Sequence, residues 1–322
     1  HLDDKGEPKL NFNIENYLRA NIRMRTPKNQ AMPVERASAK IIALVLLLAL
    51  FWGANTVFLK ISLRDIPPLA VAGFRFLTGM LVIFFWAASH RIPLMPQKGE
   101  FFPLLSLSAI FTMQIGLFNL GTKFTYAAHA TILINTHPFF TAAMAHFFIP
   151  GDELNIRKIL GLVVAFSGVL IIFRGNIDLQ LSYLLGDLLV LSSGFLLGLL
   201  NVLTKRLVQY INSYRLLTWE MLLSLPLFFG LSLFLEGIEN YHFSHSALSA
   251  ILYQGLVVGG FCFVAWTLIL RRHSPSKLSV LFFATPLFGV LLSIIFLHEP
   301  MSWNLAFGAV FVAVGIYIVN RV

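Results

Sequence analysis

Beyond residue 40 the chain alternates between long apolar runs and short polar joints. Ten runs read as membrane spans: 41–62, 67–89, 101–121, 125–149, 155–173, 182–208, 214–236, 247–270, 275–297 and 302–320. A helix needs about 20 mostly apolar residues to cross a bilayer core. Inside that core every backbone N–H and C=O must be paired within the protein, which a helix achieves by itself. The joints leave no room for a soluble domain after residue 40. The pattern predicts an all-α integral membrane protein with ten transmembrane helices.

The runs carry a repeat. His137-Pro138-Phe139-Phe140 is followed by Asp152, Gly161 and Gly168, and Thr285-Pro286-Leu287-Phe288 by Glu299, Gly308 and Gly315. The acid-to-glycine and glycine-to-glycine spacings are identical in the two sets. Gly53 and Lys60 return as Gly198 and Lys205, so the offset drifts only between 145 and 148 residues, as loop insertions would make it. The units are residues 41–173 (spans 1–5) and 182–320 (spans 6–10). An odd number of spans per unit turns the second copy upside down, giving two inverted five-helix repeats, an arrangement on which many secondary transporters are built.

Composition agrees: 57% of residues are hydrophobic, 12% charged, and the mean hydropathy is +0.77, against roughly 25% charged in soluble proteins. The net charge of +9 is not spread evenly. With the first 40 residues inside, that side receives all the basic residues of the tail. It also receives Arg91, Lys98, Arg157, Lys158, Lys205, Arg206, Arg215, Arg271, Arg272, Lys277 and Arg321; the other side gets Lys60, Arg64, Lys123 and Arg174. Lys and Arg favour cytoplasmic loops, so both termini are expected in the cytoplasm, and the charge implies no nucleic-acid partner. The single cysteine, Cys262, lies in a span and admits no disulfide within one chain.

Residues 1–40 differ in kind. They open at His1 rather than Met, as a truncated or processed start would, and are polar, with Pro8, Pro27 and Pro33. Leu10, Ile14, Tyr17, Leu18 and Ile22 recur at helical spacing beside Arg19, Arg23 and Arg25. That suits a short helix lying on anionic headgroups; the other reading is a disordered leader.

Charges inside spans cost roughly 2.5–3.5 kcal/mol each on insertion scales and are functional by default. Arg75 and Glu220 are embedded and stand at equivalent places, 145 residues apart. Inversion puts Arg75 toward the outer end of a permeation path and Glu220 toward the inner end, there to hold substrate charge or close a gate. The bland reading is that each snorkels or pairs locally. His129, His137 and His146 share span 4, with His137 the strongest functional candidate because it precedes Pro138. Pro138 and Pro286 fall mid-span in equivalent helices, where each removes a backbone hydrogen bond and kinks its helix toward a cavity. Trp52, Asn55 and Trp266 are the leading substrate contacts among the aromatic and amide residues. Gln114, Asn119, Asn201, Trp219, Tyr253 and Gln254 are further candidates. Asp152 and Glu299 read as partners of helix N-terminal dipoles. Gly161, Gly168, Gly194, Gly198, Gly255, Gly259, Gly308 and Gly315 read as packing positions. No metal-ligand spacing or cofactor motif occurs.

Phe51-Trp52-Gly53-Ala54-Asn55, Pro67 followed by Arg75, the Ala127 to Pro138 run, Gly186-Asp187-Leu188-Leu189, and Pro286 with Leu297-His298-Glu299-Pro300 together resemble the drug/metabolite transporter superfamily. Within it the likeness is to the ten-helix EamA-type branch, and it covers residues 41–320. It implies a carrier of small organic metabolites, commonly an exporter of amino acids or related compounds, with a central cavity between the halves. Asp152 stands where the family usually has Glu, and His129 and His137 lie in a span usually without imidazoles. On this reading the chain is a transporter and not an enzyme, an exporter or exchanger working by alternating access. Its few embedded acids leave exchange, facilitated movement or coupling to one proton open, in a bacterial cytoplasmic (inner) membrane. The rivals are a lipid-linked sugar flippase on the same scaffold, an intramembrane enzyme, for which no HExxH or paired-acid motif is present, and a channel, which lacks a ring of pore charges.

Overall fold

The computed structural model describes residues 35–125, 127–172, 174, 183–297 and 303–320; the side chains of Thr56, Ala127, Ala128, residues 293–297 and Leu305 are left aside. Among the described residues the fold is all-helical, and β pairing is confined to one isolated bridge between Glu35 and His273. The expected amphipathic run from Leu10 to Ile22, Glu299 with its neighbours His298 and Pro300, and Arg321 lie outside the described residues.

Helix α1 (Ala39–Ser62) starts at Ser38, whose hydroxyl accepts from the Ile41 N–H, the usual means of satisfying a first-turn donor. Pro68 opens α2 (Pro68–Ser89), where a missing N–H costs nothing. α3 (Phe101–Phe124) follows. The next apolar run is divided into α4 (Ala127–Ile134) and α5 (His137–Phe148). The proline ring conflicts with the carbonyl four residues back. For Pro138 that residue is Ile134, where α4 ends. A turn at Asn135 and Thr136 closes the gap, with the Asn135 N–H donating to Thr131 (3.3 Å) and the Thr136 hydroxyl to Leu133 (2.6 Å). The expected mid-span kink is therefore a break.

α6 (Ile156–Ile172), α7 (Leu184–Leu207) and α8 (Ser213–Leu235) come next, with the Asn212 side chain capping α8 through the Tyr214 N–H. The run 245–272 is α9 (His245–Leu252), a π-helical stretch (Tyr253–Cys262) and α10 (Phe263–Arg272) end to end. α11 (Pro275–Ser279) passes through a 3₁₀ stretch (Val280–Ala284) into α12 (Thr285–Leu297), with Pro286 in the first turn of α12, again at a change of helical form. α13 is Trp303–Asn320. Seven of these helical runs are long and apolar enough to cross a membrane: 39–62, 68–89, 101–124, 184–207, 213–235, 245–272 and 275–292.

Small residues let the helices approach. A methyl group on Gly168 would fall 2.6 Å from the Gly308 carbonyl oxygen, and one on Gly308 would fall 2.7 Å from that of Gly168. Gly161 and Gly315 are related in the same reciprocal way, at 2.9 and 2.5 Å. α6 and α13 thus touch backbone to backbone along one face. Gly53 of α1 meets Thr285 of α12, Gly198 of α7 meets Phe140 and Thr141 of α5, and Gly79 of α2 meets Gly259 in the π-helical stretch. Association of this kind in lipid rests on close packing, because the tails are as apolar as the side chains. Larger side chains fill the interior: the buried ring of Phe76 lies 4.7 Å from Phe111, 5.8 Å from Phe263 and 6.0 Å from Phe228, tying α2 to α3, α10 and α8.

Replacing Gly168 by Ala puts a methyl group against backbone that has no rotamer to yield. It should destabilise the protein by about 1–3 kcal/mol, the usual range for overpacking. Leu170→Ala, on the exposed face of the same helix, should change stability far less. Thermal unfolding in detergent, monitored on both variants, checks the difference.

Candidate functional site

A cavity of about 180 Å³ lies among α1, α2, α3, the α4–α5 break, α7, α8, α10 and the 3₁₀ stretch before α12. Its walls are mainly aromatic and aliphatic: Trp52, Phe111, Phe118, Phe263, Trp266 and Phe282 stand around it. Phe282 is the hub of one wall. Its ring meets Trp266 at 4.8 Å and Trp52 at 5.1 Å, both edge to face, and lies 5.8 Å from the His137 ring.

Set into this wall are polar groups without partners in the protein. Arg75 is buried, its Nε and Nη1 have no hydrogen-bond acceptor, and its guanidinium carbon sits 4.4 Å from the centroid of the Phe76 ring. That contact is a cation–π interaction and leaves the donors unspent. Glu220 is buried on α8. Its backbone carbonyl accepts from the Ser108 hydroxyl at 2.9 Å, while its carboxylate joins no ion pair among the described residues. Asn55 Oδ1 and His137 Nδ1 are likewise buried and unpartnered. Nearly all buried polar groups in proteins are bonded. Here three residues with such unbonded atoms, Asn55, Arg75 and His137, share one cavity, and the Glu220 side chain lines it with them.

All six expected contact residues line this cavity: Trp52, Asn55, Arg75, His137, Glu220 and Trp266. The prolines themselves do not; Pro138 and Pro286 bring their preceding residues, His137 and Thr285, to the wall. Gln114 and Asn201 also line it. Asn119, Trp219, Tyr253 and Gln254 are used elsewhere, donating to the Pro68 carbonyl, the Leu94 carbonyl, the Phe51 carbonyl and the Ser62 hydroxyl respectively. The lining also includes Thr131, Asn135 and Phe282, which sequence reasoning did not single out. Asn135 occupies the turn that Pro138 imposes, so the proline was the available signal. Phe282 carried none, being one of 31 phenylalanines.

The other acids bind at the ends of the bundle. Where α1 begins, Glu100 takes the Arg215 guanidinium at 2.8 and 2.9 Å. Asp152 takes Lys158 Nζ at 2.7 Å together with the backbone N–H and hydroxyl of Ser276. Asp152 therefore caps α11, rather than serving only the start of its own helix. At the opposite end Glu236 accepts from the Leu69 and Ala70 N–H groups (3.0 and 3.3 Å) at the start of α2, and Asp65 accepts from the Ser244 hydroxyl. Asp187 takes the Thr125 hydroxyl at 2.5 Å and His129 Nδ1 at 3.1 Å, so His129 is engaged away from the cavity. His146 Nδ1 accepts from the Leu154 N–H in an exposed position. Among the described residues no cluster of His, Cys, Asp or Glu could hold a metal ion.

The profile of the EamA-like transporter family matches the chain twice, over residues 39–174 and 184–321. The uncharacterized transporter YoaV of Bacillus subtilis (strain 168) is 26% identical over 281 residues, covering 87% of this chain and 96% of that protein. A protein of Escherichia coli (strain K12) named as a probable amino-acid metabolite efflux pump is 26% identical over 283 residues, covering 85% of this chain and 93% of the relative. A solved crystal structure superposes with a TM-score of 0.76 at 17% identity, over 88% of this chain and 99% of its own, a likeness of fold. With apolar helices long enough to span a bilayer, a cavity among them, and family matches over most of its length, this chain is an integral membrane protein and belongs to the EamA-like transporter family.

Proposed function

We propose that this protein carries a small zwitterionic metabolite, an amino acid or a related compound, through ten spans arranged as two inverted five-helix repeats. The observation that carries the reading is the cavity wall, which holds a buried Arg75 with two unpartnered donors and a buried Glu220 that joins no ion pair among the described residues, both among aromatic rings. A carboxylate on the substrate satisfies the guanidinium donors, an ammonium satisfies Glu220, and Asn55 Oδ1 offers a further acceptor. Wall aromatics accommodate the apolar part of the molecule, as small-molecule sites commonly do. The relative named for amino-acid metabolite efflux points the same way.

The inverted repeat is supported by its contacts. Under the 145–148 residue offset α1 corresponds to α7, and α5 to α12. Gly53 of α1 touches Thr285 of α12, while Gly198 of α7 touches Phe140 and Thr141 of α5, the pairing a pseudo-two-fold axis requires. α6 and α13 correspond to each other and meet through the reciprocal glycine pairs, as elements on such an axis must. The carrier works by alternating access: the polar ties at the two ends open in turn, with a proton or a second solute moving in exchange. It resides in a bacterial cytoplasmic membrane with both termini inside, the orientation favoured by the basic loops.

In proteoliposomes the wild type should show counterflow of one or more amino acids. Arg75→Ala and Glu220→Gln each remove a hydrogen bond to a charged group, worth about 1.5–3 kcal/mol. They should therefore raise the KM about 10–100-fold with the protein still folded. Unchanged KM values in both would overturn the zwitterion reading. Orientation is checked in a Cys262→Ser background. An impermeant maleimide on intact cells should label Ile238→Cys and spare Met95→Cys, both positions being exposed; the reverse pattern would invert the topology.

A further inference from the structure

Asn201 lies on the cavity wall, yet both polar atoms of its side chain are engaged within the protein. Trp266 Nε1 donates to Asn201 Oδ1 at 3.0 Å, and Asn201 Nδ2 donates to Thr141 Oγ1 at 3.3 Å. The orientation of the amide follows from chemistry: an indole N–H can only donate, so the oxygen must face Trp266 and the nitrogen must face Thr141. The backbone explains why the chain reaches. Gly198, one helical turn before Asn201, lets α7 sit directly on α5, where a Cβ would fall 2.6 Å from Phe140 Cβ and 2.9 Å from the Thr141 nitrogen. Residues three apart share a helix face, so the close approach at Gly198 delivers Asn201 to Thr141. Thr141 is fully buried and is not part of the cavity lining.

From this chain of contacts we infer that Asn201 is a positioning residue for the substrate site, one that fixes the indole of Trp266 against Phe282 and thereby sets the shape of the aromatic wall. The inference rests on the carrier reading above for its consequence in transport. Trp266 packs in an apolar cluster with Leu48, Cys262 and Leu281; among the described residues its ring contact is to Phe282 at 4.8 Å, and its indole N–H is directed by the hydrogen bond to Asn201. Phe282 in turn touches Trp52 and His137. Releasing the indole therefore disturbs the wall on several sides at once. The bridge also spans the two halves of the chain: Thr141 stands in the first, Asn201 and Trp266 in the second. A shift of α5 against α7 reaches Trp266 through the Asn201 amide, so the wall responds when the halves move.

The test uses four variants of the full chain: Asn201→Leu, Thr141→Val, Trp266→Phe, and Asn201→Leu combined with Trp266→Phe. Asn201→Leu should raise the KM for counterflow about fivefold, the equivalent of one ordinary hydrogen bond. Thr141→Val, at a position outside the cavity lining, should raise it about twofold. In the Trp266→Phe background the Asn201→Leu change should have no further effect. Additive effects would mean that Asn201 binds substrate itself and would overturn the inference, as would an unchanged KM in Thr141→Val. A second readout needs no substrate. The indole N–H signature in the ultraviolet resonance Raman difference spectrum should shift in Asn201→Leu and, more weakly, in Thr141→Val. If the wild type moves no solute, the carrier reading falls. The spectrum then decides alone: a shifted indole band sustains the anchoring of Trp266 by Asn201, and an unshifted one overturns it.

Discussion

The structure depends first on the cost of leaving a polar group unpaired in a medium that offers no water. A buried amide or hydroxyl without a partner loses about 1–3 kcal/mol, and an ionised group more. Every described segment of this chain responds to that cost. The backbone is helical because a helix satisfies its own N–H and C=O groups. Where proline interrupts it, at Asn135 and Thr136, backbone and side-chain donors close the gap over Thr131 and Leu133. Amides within the bundle bond to carbonyls and hydroxyls of neighbouring helices: Asn119 to Pro68, Gln254 to Ser62, Gln114 to Ser193. The polar residues thereby choose which helices are neighbours.

The same cost separates two kinds of acid. Asp65, Glu100, Asp152, Asp187 and Glu236 lie near the ends of the bundle, and each bonds across from one half of the chain to the other. At the end where α1 begins, Glu100 takes the Arg215 guanidinium, and Asp152, paired within its own half with Lys158, takes the Ser276 N–H and hydroxyl from the other half. At the other end the donors include backbone N–H groups, hydroxyls and an imidazole. On the alternating-access reading proposed above, polar ties suit surfaces that part, since water can replace each lost hydrogen bond. A purely apolar seal would instead expose hydrocarbon on opening. The α6–α13 pair is the contrary case: its reciprocal glycine contacts set backbone against backbone, which fits a junction that stays closed.

Much of this was legible in the sequence, because the bilayer makes hydropathy a direct reading of span position. The helices fall on the apolar windows, and the glycines of the two repeats meet crosswise, Gly161 with Gly315 and Gly168 with Gly308. Arg75 and Glu220 were visible as charges inside spans, and both line the cavity. The form of the helices was less legible. Pro138 predicts a disturbance, but whether a span bends or breaks depends on what fills the gap, here Asn135 and Thr136. The π-helical stretch at Tyr253–Cys262 has glycines at 255, 259 and 260, which sequence spacing assigns equally well to packing. Asn201 was indistinguishable from any other amide, since its meaning lies in Thr141 and Trp266, 60 and 65 residues away. Asp152 showed the same limit. Its place before a helix suggested a local dipole partner, whereas Ser276 comes from the other half.

Leaving Arg75 and Glu220 unpaired in the interior is an exception with a consequence for selectivity. Burying each without an ion partner carries a desolvation cost. On the carrier reading proposed above, a solute that brings both a carboxylate and an ammonium recovers what the fold gave up, while one lacking either leaves a buried polar group desolvated and unmatched. Discrimination by unmet polar groups exceeds what an apolar wall achieves, where a methylene is worth about 1–3 kcal/mol. The aromatic rings are then left with a simpler role, since they need only exclude water and accept a range of apolar shapes. On that proposed reading Arg75 and Glu220 define the class of solute, and the wall that Trp266, Phe282 and Trp52 form defines which members of the class fit.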